Sequence, residues 1–88
     1  MLKCVLVSIA QKLTEENVTE IYLESTLGHF GVLPQHLPII VKLKDDSLIR
    51  LKREIGELKF HVGPHSFFKF KDGQGMVLTD DFQKVLEY

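Results

Sequence analysis

Tryptophan is absent and cysteine occurs once, at position 4 of an 88-residue chain. A lone cysteine excludes an intramolecular disulfide and a zinc site built from cysteines of one chain, and it fits a reducing compartment. No apolar run approaches the ~20 residues that cross a bilayer as a helix. The segment from Cys4 to Ala10 follows Lys3 as a secretory core would. Gln11-Lys12 interrupts it early and no small-residue cleavage site follows, so a first strand is the expected reading. Nor does one charge dominate: 11 basic against 12 acidic residues leave a net charge of −1, which gives no broad attraction to phosphate backbones or anionic lipids. Nucleic acid is therefore not an expected partner, and membrane contact is expected only through a protein partner. The bases gathered at Lys42, Lys44, Arg50, Lys52 and Arg53 are punctuated by acids and read as a solvated strand face.

What the chain has is alternation with period two, which in a strand sends successive side chains to opposite faces. Leu58, Phe60 and Val62 face one way, Lys59 and His61 the other, and Ile49-Arg50-Leu51-Lys52 repeats the scheme. Further strands are expected at Leu2 to Ile9, Val18 to Glu24, Ile39 to Leu43, Phe67 to Lys71 and Met76 to Thr79. Turns fall at Glu15-Glu16-Asn17, Asp45-Asp46, Glu54 to Glu57, Gly63-Pro64 and Asp72-Gly73, the last being the strongest hairpin signal. Many short strands in a chain with room for one core predict an all-β, single-domain two-sheet β-sandwich, a flattened, jelly-roll-like barrel. That domain is expected over residues 1–80. Residues 81–88 are expected as a carboxy-terminal tail, or as a short helix capped by Asp80 or Asp81 and presenting Phe82, Val85 and Leu86. Adjacent Phe67 and Phe68 must face oppositely, so one needs cover from a partner or from Phe82 and Leu86.

Reactive clusters are weak. His61 and His65 share the i, i+4 spacing that ligates metal on a helix, but Gly63-Pro64 between them breaks any helix. With His29 and His36 they could be imagined as a metal centre or a histidine-dependent enzyme, but no cysteine or patterned carboxylate completes such a site. Ser66 follows His65, yet adjacency in sequence does not hold a nucleophile against a base, and a surface serine is expected. Asp72-Gly73-Gln74-Gly75 reads as a hairpin turn, not a nucleotide loop. No metal, cofactor or catalytic residue is expected.

The run Gly28-His29-Phe30-Gly31-Val32-Leu33-Pro34-Gln35-His36-Leu37-Pro38 stands apart. Glycine opens backbone angles closed to other residues, and each proline fixes its own φ near −65°. The run reads as a shaped contact loop between strands. It closely resembles the signature of ATP synthase epsilon subunits, Gly-x-Phe-Gly-Val-Leu-Pro-Gly-His-x-Pro. Gly28, Phe30, Gly31, Val32, Leu33, Pro34, His36 and Pro38 fall on its fixed positions, and the apolar Ile39-Ile40 follows. Met76-Val77-Leu78-Thr79-Asp80 is similar to the Val-x-Val-Leu-Ala-Asp that closes the family's sandwich. Gln35 stands where the family has glycine, His29 where an acid is common, Asp45-Asp46 where Pro-Gly is frequent, and Gly63-Pro64-His65-Ser66 in the region of its Ser-Gly-Gly. Full-length relatives append a pair of carboxy-terminal helices that these 88 residues do not include.

The resemblance implies a non-catalytic central-stalk subunit of a rotary, ion-translocating F-type ATP synthase. Such a subunit docks the gamma subunit to the membrane c-ring and helps couple ion translocation to ATP synthesis or hydrolysis, here without the regulatory helical hairpin. It implies a peripheral place on the cytoplasmic face of the bacterial inner membrane. Partner contacts are expected from Gly28, His29, Phe30, Gly31, Gln35, His36 and Pro38, at the sandwich end that faces ring and gamma. Phe30 and Val32 have a plainer reading as core plugs, which is preferred for Val32 and Leu33. The alternative from residue chemistry is a stand-alone β-sandwich protein-binding module.

Overall fold

The period-two pattern resolves into ten strands in the computed structural model, which describes residues 1–86. They are β1 (Leu2–Val7), β2 (Lys12–Val18), β3 (Glu20–Ser25), β4 (Gly28–Val32), β5 (Ile39–Lys42), β6 (Leu48–Lys52), β7 (Glu57–Val62), β8 (Phe67–Lys71), β9 (Gln74–Leu78) and β10 (Phe82–Lys84). A front sheet has the order β2-β1-β9-β8-β5 and a back sheet the order β10-β7-β6-β3-β4. Neighbours pair antiparallel except β1 and β9, which run parallel.

Alternation places every second side chain between the sheets. Phe68, Phe70, Val77, Cys4 and Leu6 from the front meet Ile21, Leu23, Ile49, Leu51, Phe60 and Val62 from the back, all buried. Each large apolar side chain so covered contributes ~1.5–3 kcal/mol. Gly75 on β9 leaves no room for a side chain between the layers: a Cβ there would lie 2.9 Å from Phe68 Cε1 and 3.0 Å from Ile21 Cδ1. The sheets are also tied at their margins. Thr26 N–H donates to Lys42 O (3.2 Å), Lys44 N–H to Glu24 O (2.9 Å), and Gln11 Nε2–H to Phe82 O (2.7 Å).

Three segments differ from expectation. Glu15-Glu16-Asn17 lies inside the edge strand β2 and is no turn. The register slips between Leu2↔Val18 and Cys4↔Glu15, with Asn17 at φ 60°, so a bulge absorbs the polar run. Gly28–Val32 is edge strand β4, paired residue by residue with β3, so only its continuation is loop. After Asp80 the chain forms no helix among the described residues. Phe82–Lys84 adds to β7, and the Phe82 ring packs edge-on against Phe60 at 6.3 Å. Phe82 thus covers the back-sheet core, Leu86 stays exposed, and neither shields Phe67. Positions 87 and 88 of the expected tail lie outside the described residues. The Asp72-Gly73 expectation holds: both residues have positive φ (51° and 75°), and Lys71 pairs with Gln74 around them.

Register also orients the molecule. Glu20 at the start of β3 pairs with Lys52, beside the β6–β7 turn, whereas Ser25 at its end pairs with Gly28 around the Thr26-Leu27 turn. The Ser8–Gln11 turn lies at this second, hairpin end too, because Val7 aligns with Leu78 and Phe67, and Phe67 with Lys42. The opposite end carries the residue 33–38 crossover, which leaves β4 at Val32, level with Ile21.

Candidate functional site

The glycine-proline run is anchored by the β3–β4 hairpin. The Ser25 hydroxyl donates to Gly28 O (2.8 Å) and accepts from Leu27 N–H (3.1 Å), fixing the two-residue turn. Gly28 takes φ 130°, a region that favours glycine. Beyond it the edge strand alternates. Phe30, opposite Leu23, packs half-buried against the core, and Val32, opposite Ile21, is fully buried. His29, opposite Glu24, and Gly31, opposite Tyr22, face out.

Gly31 gives the surface its shape. A Cβ there would come within 3.0 Å of Tyr22 Cε1, so its absence lets the Tyr22 ring lie along the strand. The Arg50 guanidinium stacks on that ring at 4.8 Å and reaches Glu57 Oε1 at 3.4 Å, while the Tyr22 hydroxyl donates to Glu20. The result is a shallow depression of about 460 Å³ with Leu23, Phe30 and Leu48 as its apolar lining and Glu24, His29 and Arg50 as its polar groups.

The crossover forms the second half. His36 N–H donates to Leu33 O (3.0 Å) across Pro34-Gln35. The half-buried His36 imidazole stands edge-on to Phe70 at 6.0 Å, and its Nδ1–H donates to the Leu37 carbonyl at 2.6 Å. His36 therefore closes the core at this point, while Gln35, Leu37 and Pro38 are exposed. β4 separates the two halves by four residue steps, ~13 Å at ~3.3 Å per residue. The structure does not bring the seven expected contact residues into one loop. Gly28 and His29 belong to the hairpin end, Gln35, His36 and Pro38 to the crossover end, and Phe30 and Gly31 lie between.

Elsewhere the Ser66 and Thr79 hydroxyls are committed to structure. Ser66, expected at the surface, is fully buried: its Oγ lies 2.7 Å from both Gly63 O and Thr79 Oγ1, and the Thr79 hydroxyl donates to Asp81 O at 2.9 Å. This network joins the β7–β8 turn to the β9–β10 connection. His65 Nδ1 is 3.7 Å from exposed Asp80. Among the described residues no three His, Cys, Asp or Glu side chains are placed to share a metal ion. Burial, reinforced by the Glu15 carboxylate, pushes the Cys4 thiol up to about 12, which leaves it unreactive. Sequence reasoning missed Tyr22 and Arg50 as neighbours of the glycine run. Period two puts Tyr22 on the outward face, but only the β3–β6 register brings Arg50 beside it.

Fold and site together define a small two-sheet β-sandwich whose distinctive surface comes from backbone shape at a glycine-proline run. Residues 1–85 match the family described as ATP synthase, Delta/Epsilon chain, beta-sandwich domain, and the chain belongs to that family. It is 33% identical over 81 residues to the ATP synthase epsilon chain of Mycolicibacterium vanbaalenii, covering 92% of this chain and 60% of that protein. The ATP synthase epsilon chain of Mycolicibacterium smegmatis is 32% identical over the same length and with the same coverage. The chain thus spans about 60% of the length of these curated relatives. The fold recurs in a chain of the Euglena gracilis mitochondrial ATP synthase, with a TM-score of 0.81 at 17% identity, covering 92% of this chain and 51% of that one. It recurs again in the Tetrahymena thermophila mitochondrial ATP synthase, with a TM-score of 0.75 at 7% identity, covering 93% and 65%.

Proposed function

We propose that the chain is a non-catalytic rotor element of an ion-translocating, F-type rotary ATP synthase. It docks the gamma subunit to the membrane c-ring and so helps couple ion translocation to ATP synthesis or hydrolysis. The observation that carries this reading is the family match over residues 1–85, nearly the whole chain. The solved assemblies that share its fold are described as containing F1 with a c-ring and a central stalk with a c-ring, which supports the same setting.

The mechanism is mechanical. A sandwich with a continuous apolar core and tied margins resists shear, so force applied at one end reaches the other with little internal displacement. The hairpin end, with Gly28 and His29 beside exposed Leu27 and with exposed Ile9 at its other margin, is one docking point. The crossover end, with Gln35, His36 and Pro38, is the other, and each meets a different partner. The working place is the cytoplasmic face of the bacterial inner membrane, reached through the complex. Affinity-tagged chain expressed in native membranes is expected to co-purify with gamma and the c-ring. Recovery of the tagged chain free of both from membranes containing intact synthase would refute the assignment.

A further inference from the structure

We propose that the outward face of the front sheet docks an acidic, amphipathic segment of a protein partner. This rests on the docking reading above and adds the chemistry of the partner surface. Cross-strand pairing sets Leu78 beside Phe67, and Lys69 between Met76 and Ile40, so the apolar groups form one patch. Ile40 is 71% exposed, Leu78 46% and Phe67 45%, which leaves the patch open to water along half the sheet.

The frame around it is basic. Lys3, Lys12, Lys42, Lys69 and Lys71 all lie on this face, by their pairing with Gln74, Val7, Phe67, Met76 and Gln74 respectively. Lys42 Nζ stands 5.3 Å from the Phe67 ring centre. Acids stand only at its margins: Asp45 lies 3.9 Å from Lys42, Asp72 is in the β8–β9 turn, Glu16 is near the end of β2, and Asp80, two residues beyond Leu78, lies 3.7 Å from His65. The back sheet contrasts, since Glu20, Lys52 and Glu57 share one row there and Arg50 is already paired with Glu57.

Apolar surface framed by lysine fits a segment with an apolar stripe and acidic flanks. A second copy of this chain does not fit, because face-to-face pairing sets lysines against lysines. An anionic bilayer fits less well: the patch lies on strands within a sheet instead of on a protruding turn, and a net charge of −1 supplies no long-range attraction.

The test is an amide chemical-shift titration of the isotope-labelled full chain. The probe is a synthetic helix with leucine on one face and glutamate on its flanks. A counterpart with lysine flanks and phosphatidylserine-containing vesicles run in parallel. The glutamate peptide is expected to shift Ile40, Phe67, Lys69 and Leu78, to bind about tenfold more tightly than the lysine peptide, and to lose about tenfold in Lys69→Glu/Lys71→Glu. Both lysines are exposed, so that variant should fold normally. Equal affinity for the two peptides, shifts confined to the back sheet, or stronger response to the vesicles would overturn the proposal. The peptide carries no stalk sequence, so its failure leaves rotor docking to the co-purification test, and failed co-purification leaves this result standing.

Discussion

Gly31 occupies a strand position where a side chain would press on the Tyr22 ring, 3.0 Å from where a Cβ would sit. Valine there gains some strand propensity but displaces a ring that Arg50 stacks on, a contact of ~0.5–1 kcal/mol at an exposed site. Gly31→Val is expected to cost about 1 kcal/mol in urea unfolding and to change the Tyr22 ring resonances, whereas Lys52→Ala at an exposed position should stay within about 0.5 kcal/mol. Equal tolerance would count against the shape argument. Cys4 supplies a second residue-scale test. Burial raises its ionisation from 9.0 in the unfolded chain to about 12 in the folded one, so above pH 9 the unfolded chain sheds a proton that the native one keeps. This contribution to stability is intact below pH 9 and is lost as pH climbs toward 12. Native protein should resist thiol reagent at pH 8 until denaturant unfolds it, and Cys4→Ala should flatten part of the alkaline decline. Rapid labelling of folded protein would contradict the buried placement.

At the scale of elements, the shortest strand has a disproportionate role. β10 offers three residues, yet Phe82 is buried against Phe60, and Gln11 reaches across to the Phe82 carbonyl. Phe82→Ala is expected to lose about 3–5 kcal/mol, measured by thermal or chemical unfolding, with a smaller loss for exposed Leu86→Ala. Comparable losses at both would mean that the terminal segment is not part of the core. The same element shows where sequence reading stops. Phe82, Val85 and Leu86 have helical spacing, and nothing local reveals that the β7 edge is waiting for a partner. β2 was hidden for a related reason: an edge strand needs only one buried side, and Lys12–Val18 spends its other positions on charge, as edges do. β4 was hidden by its two glycines. The inner strands, alternating strongly at Leu58–Val62, Ile49–Lys52 and Phe67–Lys71, were legible throughout, as was the Asp72-Gly73 turn. In the candidate site, the run from Gly28 to Pro38 was legible as special, but its division between two ends depends on pairing register, which short-range pattern does not encode.

For the whole molecule, that division is the main consequence. A sandwich that offered one tip could be a passive cap, whereas the proposed contact residues fall at both ends of a tied, well-packed body, as the proposed transmission of force between two partners requires. The most direct measurement places a photo-crosslinking residue in turn at His29, at Gln35 and at exposed Gln83 on the far edge of the back sheet, in the assembled synthase. The expected result is crosslinks from His29 and from Gln35 to two different rotor subunits, gamma and ring, and silence at Gln83. Assembly with both His29 and Gln35 silent, or crosslinking from Gln83 alone, would contradict a body held at its two ends.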